Sequence, residues 1–169
     1  MKWDKILMIK WINIHKNIWF GLFFLGIILF FIQEIPYMIM PFIELANNPL
    51  MEMVNTYPIL DTFEKIIGIS TIIAMIFIVN SDTKGFSLDS VKEKVFFFMS
   101  IILLLGYYIG WIFYFNMHQS LALVVIILAG FVPLYYSFIG LWRKNYILVF
   151  LGILFLFVHV ANVWTSYVL

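Results

Sequence analysis

The sequence predicts an all-α, polytopic membrane protein: a five-helix transmembrane bundle with an irregular, partly helical outer cap between helices 1 and 2. Three observations predict it. The 169-residue chain is 64% hydrophobic and 11% charged. A soluble domain is about half apolar and a quarter charged, and its core could not hide this much apolar surface at this length. The apolar residues fall into blocks of roughly 15 to 24, which suits membrane helices and not the alternating strands of a β-barrel. A soluble fold, a disordered chain and a nucleic-acid binder are thereby excluded. The net charge is +1 and there is no cysteine, so bulk charge points to no partner, and disulfides and thiolate metal sites are excluded. One domain, residues 1–169, is expected, with no internal repeat.

Span one is placed at residues 14–33, with its apolar core at 18–32. No small-residue cleavage pattern follows that core, so it reads as a retained anchor and not a signal peptide. Ahead of it Trp3, Ile6, Leu7, Trp11 and Ile14 recur at helical spacing, with Lys5, Asn13, Lys16 and Asn17 on the other side. Two readings are open there: a short interfacial helix, or an early start of span one with Lys16 snorkelling. Span two is placed at residues 62–79, its start marked by Asp61 and Glu64. Spans three, four and five are placed at 95–115, 121–142 and 146–169. Their tight connections make an antiparallel series. Ser90 and Glu93 give a capping-box spacing before span three, and Pro133 should kink span four.

Charge sets the orientation. Lys2, Lys5, Lys10, Lys16, Lys84, Lys92, Lys94, Arg143 and Lys144 all fall on one side of these spans, and only Lys65 falls on the other. The positive-inside rule then predicts a cytoplasmic membrane protein with its N-terminus in the cytoplasm and its C-terminus outside. Trp11, Trp19 and Trp142 fall at inner boundaries and Trp111 and Trp164 near outer ones, as interfacial belts require.

The predicted cap, residues 34–61, is too apolar for a free loop. It is also too interrupted by Pro36, Pro41, Pro49 and Pro58 for one helix. Asn48 and Pro49 form an N-cap and first-turn pair, so a short helix is expected over residues 50–55. Glu34, Glu44, Glu52, Asp61 and Glu64 are five of the nine acids in the chain. The apolar cores of spans one and two, about 15 and 14 residues, reach only ~21–23 Å at 1.5 Å per residue, against ~30 Å of hydrocarbon. The deficit is made up either at the cytoplasmic ends or outside. The second alternative draws Glu34, Asp61 and Glu64 toward membrane depth, and short spans bordering an irregular segment point to a binding site.

His159 is the ionisable residue nearest the middle of a long span, on a stripe with Gly152, Phe155, Asn162 and Ser166. Gly106 and Gly110 permit close helix approach, and Tyr107 falls at a depth similar to that of His159. Gln33, Glu34, Asp61, Glu64, Tyr107, Tyr114, His118, His159, Asn162 and Ser166 all gather in the outer half. Three functions follow. The first is a non-enzymatic binding or transport component for a small molecule, lipid or peptide, with Glu34, Glu64, Tyr107, His159 and Asn162 facing outward beneath the cap. The second is an enzyme acting on a lipid-linked substrate at the outer leaflet, with His159 or His118 as base and Glu34 or Glu64 as acid. The third is a structural subunit that packs on another membrane chain through the Gly106/Gly110 face. No catalytic residue, metal or cofactor is predicted, and the lipid bilayer is the expected partner. An enzyme requires base and acid within ~3 Å of a common point. A binder requires an enclosed pocket of roughly 300 Å³ or more.

Overall fold

The computed structural model describes residues 7–54 and 56–168, so the expectations for Lys2, Trp3, Lys5, Ile6, Asn55 and Leu169 lie outside the described residues. The chain opens with a hairpin, β1 (Met8–His15) and β2 (Ile18–Phe23). Helix α1 (Phe24–Ile39) follows and ends in a 3-10 turn, Met40–Phe42. A connection holds one short helix, α2 (Pro49–Glu52), before α3 (Pro58–Phe77) and strand β3 (Ile78–Asn80). Next come α4 (Val91–Phe115), a π-helical stretch Leu123–Ala129 running into α5 (Gly130–Trp142), and α6 (Tyr146–Val168). Among the described residues four helices are long and apolar enough to cross a membrane: Phe24–Phe42, Val91–Phe115, Leu123–Trp142 and Tyr146–Tyr167. Helix α3 matches them in length at 20 residues but carries Asp61, Glu64 and Lys65.

The first correction is at the N-terminal end. Residues 8–23 form an antiparallel hairpin, not an interfacial helix or an early span one, which begins at Phe24 instead of residue 14. Ile9, Trp11, Ile12 and Ile14 suit strands. The turn at Lys16 takes φ 48, and the Asn13 side chain donates to the Lys16 carbonyl at 2.8 Å. The decisive partner is distant in sequence: β3 pairs with β2 through Ile18–Asn80, Trp19–Val79 and Phe20–Ile78. Gly21 has no room for a Cβ, which would run into the Ile9 carbonyl. Trp11, Phe20 and Phe77 stack beside one another, with ring centroids 5.5 Å (Trp11–Phe20) and 5.8 Å (Phe20–Phe77) apart.

The second correction concerns the predicted cap. Helix α1 continues through Pro36 to Ile39, and α3 starts at Pro58, so the irregular connection is residues 43–57 and not 34–61. A proline inside a helix leaves the carbonyl four residues earlier without its donor. That carbonyl is Ile32, and the Tyr108 hydroxyl of α4 donates to it. Pro58 stands at the first turn of α3, where its missing N–H costs nothing. Substituting Tyr108 by Phe should therefore lower stability by about 1 kcal/mol. In a Pro36→Ala background, where the alanine supplies the missing N–H, the same change should be close to neutral. A double-mutant cycle of denaturation midpoints reads the coupling, and equal costs in both backgrounds would show that Tyr108 has no such role.

Helices α4, α5 and α6 pack as the expected antiparallel series, and α3 packs on α6. Gly106 faces the Phe131 ring and Gly110 faces Ile127 and Leu128, so this pair serves close packing within the chain. Trp111 and Trp142 are 1% exposed. They are core residues and not belt residues, whereas Trp11 and Trp164 are exposed. The capping box of Ser90 and Glu93 closes α4 as expected.

The sheet, the 81–90 loop and the α5–α6 turn meet at one end of the bundle. Arg143 is buried there, donating to the Lys84 carbonyl and to Thr83 Oγ1 and lying 4.6 Å from the Phe23 ring centroid. Burial pulls its guanidinium down to about 10, so it stays charged at neutral pH. In the same loop the exposed Asp89 carboxyl is held below its ordinary range, chiefly by the hydrogen bond from Lys84.

Candidate functional site: a polar cleft between α1, α3 and α6

Helices α1 and α3 touch near the sheet, where a Cβ on Gly26 would come within 2.9 Å of the Met75 carbonyl. Farther along they are separated by a cleft of two adjoining lobes. The first, about 270 Å³, is lined by Gln33, Glu34 and Tyr37 of α1, Glu64 and Gly68 of α3, Tyr136 of α5, and Phe155 and His159 of α6, among others. The second, about 260 Å³, is lined by Tyr37, Asp61, Glu64, His159, Asn162 and Ser166, with Leu50 and Met53 contributed by the 43–57 connection. Tyr37, Glu64 and His159 belong to both lobes.

Glu64 organises the centre. Its Oε1 lies 2.6 Å from His159 Nδ1, and its Oε2 accepts from Asn162 Nδ2. The ring of His159 stacks on Phe155 at 4.9 Å. Glu64 is six residues (64 − 58), or ~9 Å of rise, inside the first residue of α3. That brings Glu64 alongside the polar stripe on α6.

Behind this centre stands a layer of buried aromatics. Gln33, 1% exposed, donates to the Tyr107 hydroxyl at 3.3 Å and accepts from Tyr136. The Tyr135 hydroxyl donates to the Leu29 carbonyl at 3.1 Å. These bonds fix the face of α1 that carries Glu34 and Tyr37. The connection is held over the second lobe by Tyr114, which donates to Asn48 Oδ1 at 2.8 Å and accepts from Leu50 N–H at 3.0 Å. Asn48 thus precedes a short helix as expected, but its side chain bonds Tyr114 and does not cap that helix. Gln119 adds a bond to the Asn47 carbonyl at 3.0 Å.

No family model, curated protein or solved structure matches the chain.

Of the residues expected at the site, Glu34, Glu64, His159 and Asn162 line the cleft. Tyr107 does not. It lies one layer behind, buried at 1% exposure, where Gln33 separates it from the lobes. A helical wheel gives the face of a residue but not which neighbour stands in front of it. His118 is also elsewhere, with Nδ1 near the Asn116 carbonyl at 3.0 Å in the turn after α4. The α6 stripe divides: Gly152 packs against Ser137 of α5, while Phe155, His159, Asn162 and Ser166 face the cleft. Sequence reasoning missed Tyr37 and Tyr136 as lining residues. The available signal was their position, Tyr37 one turn beyond Gln33 and Tyr136 just after the span-four proline. Among the described residues no three metal-ligating side chains converge.

Proposed function

We propose that the chain is a multi-pass, non-enzymatic binding or transport component of a cytoplasmic membrane. In this reading five helices span the bilayer, α3 among them, and the α1–α3–α6 cleft faces outward beneath the 43–57 connection. The observation that carries it is Glu64, a carboxylate well inside a helix end, paired with His159 and Asn162 while facing two lobes. Ionisable groups at such depth are costly and line ligand or ion pathways by default. Each lobe is half-open and alone falls a little short of the ~300 Å³ enclosed pocket expected of a binder, and the two adjoin through Tyr37, Glu64 and His159. The orientation rests on charge: Lys10, Lys16, Lys84, Lys92, Lys94, Arg143 and Lys144 belong to the sheet end, and Glu44, Glu52 and Asp61 to the opposite one.

The absence of cysteine makes the test clean. A single Ala46→Cys variant in the exposed part of the 43–57 connection, treated in intact cells with a membrane-impermeant maleimide, should label from outside. A Ser81→Cys variant at the sheet end should label only after permeabilisation. The reverse pattern would overturn the orientation.

The enzyme reading keeps one observation in its favour, the 2.6 Å contact of His159 with Glu64, since a carboxylate commonly orients an imidazole base. Among the described residues no hydroxyl is hydrogen-bonded to His159 for it to activate.

A further inference from the structure

We infer that the face of the β1–β2 hairpin carrying Ile12 and Phe20 is a docking surface for anionic phospholipid, in the leaflet at the sheet end of the bundle and independent of what occupies the cleft. Ile9, Trp11, Ile12, Ile14 and Phe20 are exposed on this hairpin, Ile12 at 64%. Left in water, such an apolar patch is an interaction site, and β1 is an edge strand with one side unpaired. The strand register shows how the patch is assembled. Directly paired residues of neighbouring strands share a face. Ile9 pairs with Leu22 and Ile12 with Phe20, across a register shift between Lys10 and Ile12. The shift sets two isoleucines three positions apart on one face, where a regular strand would put them on opposite faces.

Three observations identify the occupant. The first is continuity with the apolar outside of the bundle. Ile66, Ile69 and Ile73 are exposed along α3 at the spacing of a single stripe. Phe77, one turn further on, stacks on Phe20 and lies 6.4 Å from Trp11, so the hairpin face prolongs that stripe. The second is connectivity. Strand β2 ends at Phe23 and α1, part of a segment long and apolar enough to cross a membrane, begins at Phe24. With no linker between them, a membrane-crossing α1 sets the sheet at the level of the headgroups. The third is charge. Lys10 and Lys16 are exposed, and neither forms an ion pair among the described residues. Asp82, the acid beside the hairpin turn, accepts from Asn17 at 2.7 Å. The sheet end as a whole holds seven cations against the three acids Asp82, Asp89 and Glu93 among the described residues. Lysines at a membrane surface attract anionic headgroups, while exposed indole and isoleucine side chains enter the boundary between headgroups and acyl chains.

The test uses full-length protein in phosphatidylcholine nanodiscs, with a bimane on a single Ile12→Cys variant. Nitroxide-labelled phosphatidylglycerol and nitroxide-labelled phosphatidylcholine are added in turn as quenchers, and the ratio of their quenching constants reads the local lipid preference. Phosphatidylglycerol should be favoured about tenfold, and high salt should reduce the preference. Adding Lys10→Gln and Lys16→Asn should lower it at least about fivefold without changing the melting temperature. Asparagine is chosen at Lys16 because it tolerates the left-handed turn there, φ 48. Quenching by neither lipid would put the hairpin in water and overturn the proposal. Equal quenching by both, or a preference that survives loss of both lysines, would overturn the anionic assignment. Cross-linking of Ile12→Cys between copies under mild oxidation, with no lipid quenching, would give the β1 edge to a second copy of the chain instead.

Discussion

Replacing Glu64 by leucine is expected to destabilise the fold by about 2–3 kcal/mol, and replacing Glu64, His159 and Asn162 together by leucine is expected to cost less than that. The reasoning turns on what each change leaves behind. Glu64 accepts from His159 Nδ1 and from Asn162 Nδ2. Removing it alone strands two donors whose residues lie on an α6 face packed against α3. Breaking one side of a buried pair is penalised mainly through the orphaned partner. The side chains of Glu64 and His159 are 18% and 14% exposed, so the penalty belongs at the lower end of the range for buried pairs. Taking all three polar groups away removes the orphans and substitutes apolar contact in a cleft already walled by Phe155, Ile72 and Val132. Denaturation midpoints in mixed micelles measure both variants. The triple variant should recover stability. A triple variant less stable than Glu64→Leu would mean that the cluster is a structural staple.

That comparison bears on why the cluster was partly legible in the sequence. Glu64 and His159 stood out because ionisable residues inside apolar spans are rare. Which of them meet was not legible, because 95 positions separate the two and their contact depends on where α3 begins. Asp61 and Glu64 read as a helix start, and they do lie in the first turns of α3, but the start itself is Pro58. Moving it outward carries Glu64 inward along the helix to the level of His159. Pro36 shows the same limit. Taken alone it predicts the end of a helix. With the Tyr108 hydroxyl, 76 positions away, donating to the stranded Ile32 carbonyl, the helix runs on and brings Glu34 and Tyr37 into the cleft.

The long apolar segments were legible because length and hydropathy are local properties. The sheet was not. Residues 8–15 fit a helical period and a strand equally well by pattern, and β2 was hidden inside the apolar run assigned to span one. What selects the strands is pairing of Ile18–Phe20 with Ile78–Asn80, a contact across the whole of α1 and α3 that no window of sequence contains. The aromatic core misleads in a related way. Trp111 and Trp142 occur where interfacial tryptophans belong, yet each finds a partner layer inside the bundle: Tyr37 and Tyr114 for Trp111, Phe86 and Phe97 for Trp142.

Asn145 carries the second large expectation: Asn145→Ala should cost about 3 kcal/mol, and Asn145→Asp should be at least as damaging. The side chain is 2% exposed and joins two helix ends. Its Nδ2 donates to the Ala74 and Ile78 carbonyls, both at 2.9 Å, at the C-terminal end of α3. Its Oδ1 accepts from Leu148 N–H at 3.1 Å and so caps the N-terminus of α6. Alanine loses the cap, worth about 1 kcal/mol, and the two side-chain bonds that tie α6 to the end of α3, at about 1 kcal/mol each. Aspartate separates the two roles. As a helix cap it equals asparagine, so it would restore the bond to Leu148. It cannot donate, however, and it would set a carboxylate against two carbonyl oxygens in a buried site. If capping of α6 were the whole of its role, Asn145→Asp would melt with the wild type. If the bridge between α3 and α6 dominates, Asn145→Asp falls to the level of Asn145→Ala or below it. The difference matters beyond stability, because α3 and α6 are the walls that carry Glu64, His159 and Asn162. A variant that loosens their junction at the sheet end should also weaken ligand binding in the cleft, although Asn145 lines neither lobe.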